Sequence, residues 1–247
     1  MLQAISDASK PGTRMSLSMR RSLLVSRLGE LVGADVWLWF QGVYNAKELG
    51  DSMVTSFVDG GFKSEVERSE FFRVIINPDL VALVNAPISD ALATHRSILC
   101  QRSQLVTSER WKSLTVSAIW NALGFDHFII AAFPIGPVNY SAVGLHRRLG
   151  KPDFSDRDMT IVRLLIGSVD WLHADSLPVE ASEYALSLSP RERHVIVHLI
   201  QGDSRKEVAA KLGLSEHTVG DYLKEIYRKF GVNSRAELLS KFINAST

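Results

Sequence analysis

His217, Thr218, Gly220, Asp221, Lys224 and Arg228 crowd into one stretch, SEHTVGDYLKEIYRKF at positions 215–230. Lysine and arginine can donate to guanine O6 and N7 or to phosphate, and a carboxylate can accept from cytosine N4. The chemistry open to such a set is recognition of double-stranded DNA, provided that one element presents it on one side. A helix does so. At about 100° per residue, Val219, Leu223, Ile226 and Phe230 fall on one stripe. His217, Gly220, Asp221, Lys224 and Arg228 fall roughly opposite. Ser215 offers an N-cap oxygen, and Gly231 a C′ residue able to turn left-handed. The apolar stripe anchors such a helix and leaves its polar face free for a major groove.

The neighbouring stretches must hold that helix in place. Ser204 to Leu212 predicts a short helix with Val208, Ala209 and Leu212 inward, joined to the first by the tight turn Leu212-Gly213-Leu214-Ser215. Ser189 to Gln201 predicts another, with Val195, Ile196, Leu199 and Ile200 inward. A fourth begins at Ser234. Ser189, Ser204 and Ser234 are each followed three residues later by Glu192, Glu207 and Glu237, the spacing of a capping box. Leu238, Leu239 and Phe242 share the apolar side of the fourth helix and are too many for so small a core. Some of them are therefore expected at a dimer contact.

The segment LSPRERHVIVHLIQGDSRKEVAAKLGLSEHTVGDYLKEIYRKFGVNSRAELL resembles the LuxR/GerE-type helix-turn-helix domain of bacterial transcription regulators. The resemblance covers about a quarter of the chain and implies that the second helix braces, the third enters DNA and the fourth supports dimerisation. With the outward face of the third helix, the expected DNA-contact set is Ser204, Lys206, Ser215, His217, Thr218, Gly220, Asp221, Lys224, Arg228 and Arg235, and the resemblance also implies Lys206 and Thr218 on phosphate. The family usually has a basic residue directly after Thr-Val, where this chain has Gly220 followed by Asp221.

Net charge is +1 over 247 residues, but it divides unevenly. Positions 188–247 carry 10 Lys/Arg against 7 Asp/Glu, and positions 1–187 carry 18 against 20. That asymmetry fits a mildly basic DNA-binding tail on a near-neutral body. The single cysteine, Cys100, excludes an internal disulfide and a multi-cysteine zinc site. No stretch is long and apolar enough to span a bilayer, so a cytoplasmic protein without membrane contact is expected.

The body reads as α+β. Residues 1–18 are expected to be a disordered tail, 19–173 a sensor domain, 174–187 a linker and 188–247 the tail domain. Expected helices cover Arg20 to Val32, Ser64 to Ile76, Ser108 to Leu123 and a long final one from Asp156 to His173. Expected strands cover Val36 to Tyr44, Met53 to Val58, Ile98 to Leu105, His127 to Phe133 and Tyr140 to His146. That order predicts one central antiparallel sheet flanked by helices. It resembles the GAF/PAS-like sensor domain, a resemblance supported by SAVGLHRR at 141–148 and DFSDRD at 153–158.

Trp37, Trp39, Trp111, Trp120 and His146 are candidates for lining a small-molecule site, although core packing accounts for most such tryptophans. An acyl-homoserine-lactone receptor would share the layout, but no Asp-Pro pair occurs. No nucleophile elbow, phosphate-binding glycine loop or metal spacing appears, so neither catalysis nor a cofactor is expected. The expected function is that of a dimeric DNA-binding regulator answering a small-molecule or protein signal. The alternative is a protein-interaction regulator whose DNA specificity is weak.

Overall fold

A computed structural model of the chain describes residues 15–44, 52–75, 78–174, 184–185, 187–200 and 202–243. Much of the expected tail at 1–18 and most of the expected linker at 174–187 lie outside them. The first helix, α1 (Leu17–Leu31), starts three residues before the expected Arg20, because the Ser16 hydroxyl caps the Met19 N–H. Strands β1 (Val36–Tyr44) and β2 (Ser52–Gly60) follow, then helices α2 (Glu65–Ile75) and α3 (Pro78–Ala93). After β3 (Ile98–Gln101) come the short α4 (Arg102–Leu105), α5 (Ser108–Ser113) and α6 (Thr115–Ala122). Strands β4 (Phe125–Pro134) and β5 (Asn139–Arg148) precede α7 (Asp156–Ile166) and a 3-10 turn at Asp170–His173.

The strands form one antiparallel sheet in the order β2-β1-β5-β4-β3. β1 and β5 are buried along nearly their whole length, so both faces must be covered. Side chains alternate between the faces. Trp37, Trp39, Ile129, Val143 and Leu145 point to one, against Leu24, Val25 and Leu28 of α1 and Val162 and Ile166 of α7. Val36, Leu38, Phe125 and Phe128 point to the other, against Phe71, Trp111, Val116 and Trp120. The central antiparallel sheet flanked by helices is thus as expected.

Several of the expected elements differ in ways that matter to the core. The expected helix over 108–123 is two, because Leu114 is extended (φ −81°, ψ 135°). On one continuous helix Trp111 and Trp120 would stand about 180° apart. The break lets both enter the same core, 3% and 0% exposed. The long final helix stops at Ile166 with Gly167 as C-cap, and a Cβ on Gly167 would meet the Arg163 carbonyl oxygen at 2.9 Å. Leu172 still reaches the same core, because the 3-10 turn carries it back, whereas Leu164 is 62% exposed. The strand expected to reach Leu105 ends at Gln101, where Gln104 closes a capping box that starts α4. β5 extends past the expected end at His146 to Arg148, so Arg147 is also buried in the sheet.

The tail has the expected helices: α8 (Pro190–Ile200), α9 (Arg205–Leu212), α10 (Glu216–Phe230) and α11 (Arg235–Ile243). Val195, Ile196, Val208, Val219, Ile226 and Leu238 make its core. Ser189/Glu192 and Ser204/Glu207 form reciprocal capping boxes. At the third start, Ser234 accepts from the Glu237 N–H, but Glu237 reaches back to the Asn233 N–H instead. The eight-residue α9 depends most on its cap. Ser204→Ala should therefore lower unfolding free energy by about 0.5–2 kcal/mol in denaturant titration. Ser204→Gly should lower it by only a few tenths. Equal losses for both variants would count against the cap. Among the described residues, no helix is long and apolar enough to cross a membrane.

Candidate nucleic-acid interface

The two helices of the proposed DNA-reading unit meet at a tight turn. Gly213 adopts the left-handed conformation (φ 64°, ψ 36°), and the Leu214 N–H returns to the Ala209 carbonyl at 2.9 Å. A side chain at position 213 would strain that backbone. Ala209 is 4% exposed where α9 packs on α10, and Val219, Ile226 and Phe230 of α10 are no more than 1% exposed. The stripe read from the sequence is therefore the buried side.

Ionic ties fix the unit to α8. Asp203 accepts from His198 Nδ1 and Lys211 Nζ, both at 2.9 Å. Lys229 reaches Glu192 at 2.8 Å and the Ser187 carbonyl at 3.1 Å. Burial pushes the Glu192 carboxyl up, but the hydrogen bonds from Lys229 and Ser189 outweigh it and hold the group below the usual range. Arg235 Nη2 donates to the Leu199 carbonyl at 3.1 Å, which ties α11 to α8.

The opposite face of α10 is polar and open. Asp221 sits between His217 and Lys224, with its Oδ2 3.1 Å from His217 Nδ1 and its Oδ1 3.0 Å from Lys224 Nζ. The hydrogen bond from Lys224 leads in holding its carboxyl below the usual range. The His217 and Lys224 side chains are 86% and 79% exposed. Arg228 pairs with Glu225. Ser204 and Ser215 serve as helix caps, the latter accepting from the Thr218 N–H at 3.0 Å. Lys206 is exposed on α9. Between α9 and α10 lies an open hollow of about 370 Å³, lined by Arg205, His217, Gly220, Asp221, Lys224 and Tyr227. Arg205 and Tyr227 were not among the expected contacts. The signal that could have found Arg205 is Gly220, a mid-helix glycine that leaves room for a neighbour.

A family profile described as "Bacterial regulatory proteins, luxR family" matches residues 186–242. The spore germination protein GerE of Bacillus subtilis is 34% identical over 56 residues, and the match spans 76% of GerE. The chain belongs to the luxR family of bacterial regulatory proteins. A luxR-family relative from Streptomyces halstedii, the probable HTH-type transcriptional regulator GfsR, is 39% identical over 118 residues. That match covers 48% of this chain and 40% of GfsR, so less than half of that relative is represented. A putative HTH-type regulator of Aeromonas salmonicida is 42% identical over 57 residues, covering 23% of this chain and 29% of the relative. The solved structure of Escherichia coli SdiA aligns over 100% of this chain and 94% of SdiA, at 13% identity and a TM-score of 0.34.

The expected small-molecule residues divide between the faces of the sheet. Trp37 and Trp39 pack with α1 and α7, and Arg21 stacks 3.7 Å over the Trp39 ring. Trp111, Trp120 and His146 lie on the other face. The His146 ring centroid is 4.9 Å from Phe71, 5.5 Å from Trp120 and 5.9 Å from Phe128. Burial pushes the imidazole down to about 3. A separate hollow on that face, between Phe40, Tyr44, Leu92 and Tyr140, has about 30 Å³, the scale of one water molecule. Cys100 is buried, and burial raises its thiol to about 11.

The three apolar residues expected to supply a dimer contact from α11 are not equivalent. Leu238 is fully buried in the tail's own core beside Ile226 and Val195, so it has no surface to offer a partner. Leu239 is half-buried, and the Phe242 side chain lies outside the described residues.

Proposed function

We propose that this luxR-family chain is a sequence-specific DNA-binding transcriptional regulator acting as a cytoplasmic homodimer. In this reading, residues 19–173 are a sensor unit, 174–187 a linker and 188–247 the DNA-binding unit. The observation that carries it is the division of α10. One side closes the tail core, while His217, Asp221 and Lys224 stand on the other with no core to serve. Partnering through α11 falls to Leu239 and its exposed neighbours. The sensor answers a protein or small-molecule signal. Occupation of the hollow between Phe40, Tyr44 and Tyr140 by a molecule larger than water requires one of these side chains to move. The buried Arg21 and Gln41 both donate to the Ala174 carbonyl, each at 2.6 Å, which supports a linker that starts after the 3-10 turn.

Selection from a randomised DNA duplex pool, followed by titration at several salt concentrations, tests the reading. Lys224→Ala should cost about 1–3 kcal/mol on the selected sequence and little on random DNA. Lys206→Ala should weaken both alike and reduce the salt slope by about one. A pool from which the wild-type chain enriches no sequence would overturn specific recognition.

A further inference from the structure

Gly220 leaves a gap in the row His217, Asp221, Lys224, and the gap is not empty. A Cβ built at position 220 would meet one atom within 4 Å outside its own helix surroundings, Arg205 Nη1 at 3.6 Å. The guanidinium comes from the first residue of α9, not from α10. It lies at the level of Gly220 and lines the same hollow as His217, Asp221 and Lys224. The neighbouring His217 and Lys224 are engaged, since both contact Asp221 within 3.1 Å. Among the described residues Arg205 is held by Glu216 alone, at 3.7 Å, beyond hydrogen-bond reach, with the two side chains 56% and 49% exposed. Exchanging so loose a pair for a new partner costs little. A guanidinium offers a planar fork of donors that suits guanine O6 and N7.

We propose that Arg205 is a base-reading residue of this protein, presented to the major groove through the opening that Gly220 leaves in the recognition helix, with the guanine edge as its ligand. Residues 205 and 220 then form one specificity-setting pair. A long side chain at 220 would fill the hollow and push the guanidinium aside, whereas the Cβ of alanine at 3.6 Å makes an ordinary contact. The proposal rests on the DNA-binding reading above.

The test uses the full-length protein, a randomised DNA duplex pool, and Arg205→Ala, Arg205→Lys and Gly220→Lys variants. Wild type should select a sequence that includes one guanine per half-site. Arg205→Ala should bind that sequence about ten- to a hundredfold more weakly, lose the preference at that one base pair, and keep its salt slope. Arg205→Lys should fail to restore the preference, because an ammonium lacks the fork. In the Gly220→Lys background, removing Arg205 should change affinity less than twofold. An equal loss on selected and random DNA with a slope reduced by about one would make Arg205 a phosphate contact and overturn the proposal. An unaltered selected sequence in Arg205→Ala would also overturn it while leaving DNA recognition intact. Failure of the wild type to select any sequence would overturn the DNA-binding reading and this proposal with it. Unchanged melting temperature of the variants identifies these effects as surface effects.

Discussion

Replacing Asp158 with alanine should lower the unfolding free energy by about 3–5 kcal/mol, the range for removing one partner of a buried ion pair. Asp158 Oδ2 accepts from the Ser155 N–H at 2.9 Å, the Ser155 hydroxyl at 2.9 Å and Arg147 Nη2 at 3.0 Å. The Arg147 and Asp158 side chains are only 9% and 11% exposed. Arg147 also donates to the carbonyls of Val32, Pro152 and Asp153, and lies 4.0 Å over the Phe154 ring. One ion pair therefore joins the end of α1, the end of β5 and the start of α7. Burial pushes the Asp158 carboxyl up, but the Ser155 and Arg147 hydrogen bonds outweigh it and keep it ionised. Without the carboxylate, the guanidinium stays buried with only neutral acceptors. Asp158→Asn keeps an acceptor for Ser155 and should lose less. Urea unfolding at neutral pH measures both, and a loss under about 1 kcal/mol for Asp158→Ala would show that Arg147 is satisfied without its partner.

That ion pair marks the limit of what the chain discloses by itself. Ser155 followed by Asp158 was legible as a helix start, because capping is local. That Arg147 closes on Asp158 was not, since it depends on how β5 meets α7. The same division holds elsewhere. β1 was legible to the residue, Val36–Tyr44, because its aromatic and β-branched run is uninterrupted. The tail helices were legible through their serine caps and left-handed glycines. By contrast, α3 continues through Pro87, which local rules would use as a stop. The break at Leu114 serves a core that two tryptophans enter together, and no local signal at 114 announces it. In the proposed DNA-reading unit, α10 alone points to His217, Asp221 and Lys224. Arg205 enters only when α9 is laid beside Gly220.

His146 should make the protein lose stability on mild acidification, by about 2 kcal/mol between pH 7 and pH 5. Its ring faces Phe71, Trp120, Phe125 and Phe128, and no charged side chain is among these contacts. Burial lowers the folded-state value to about 3 from an ordinary 6.5. Between those values the unfolded chain takes up a proton that the folded chain refuses. Stability from this group is therefore complete above pH 6.5 and drains away as pH falls toward 3, at up to about 1.4 kcal/mol per pH unit. His173, His194 and His198 are also lowered by burial and act in the same direction, as do the lowered carboxylates Glu192 and Asp158 further into acid. A variant isolates the His146 share, because the other groups are common to both proteins. His146→Leu removes the proton site and adds a packing cost that does not vary with pH. The unfolding free energies of wild type and variant should thus approach one another by about 2 kcal/mol as pH is lowered from 7 to 5. Parallel curves over that interval would mean that the folded protein protonates His146 as readily as the unfolded chain does. The aromatic layer around it would then have to open to water.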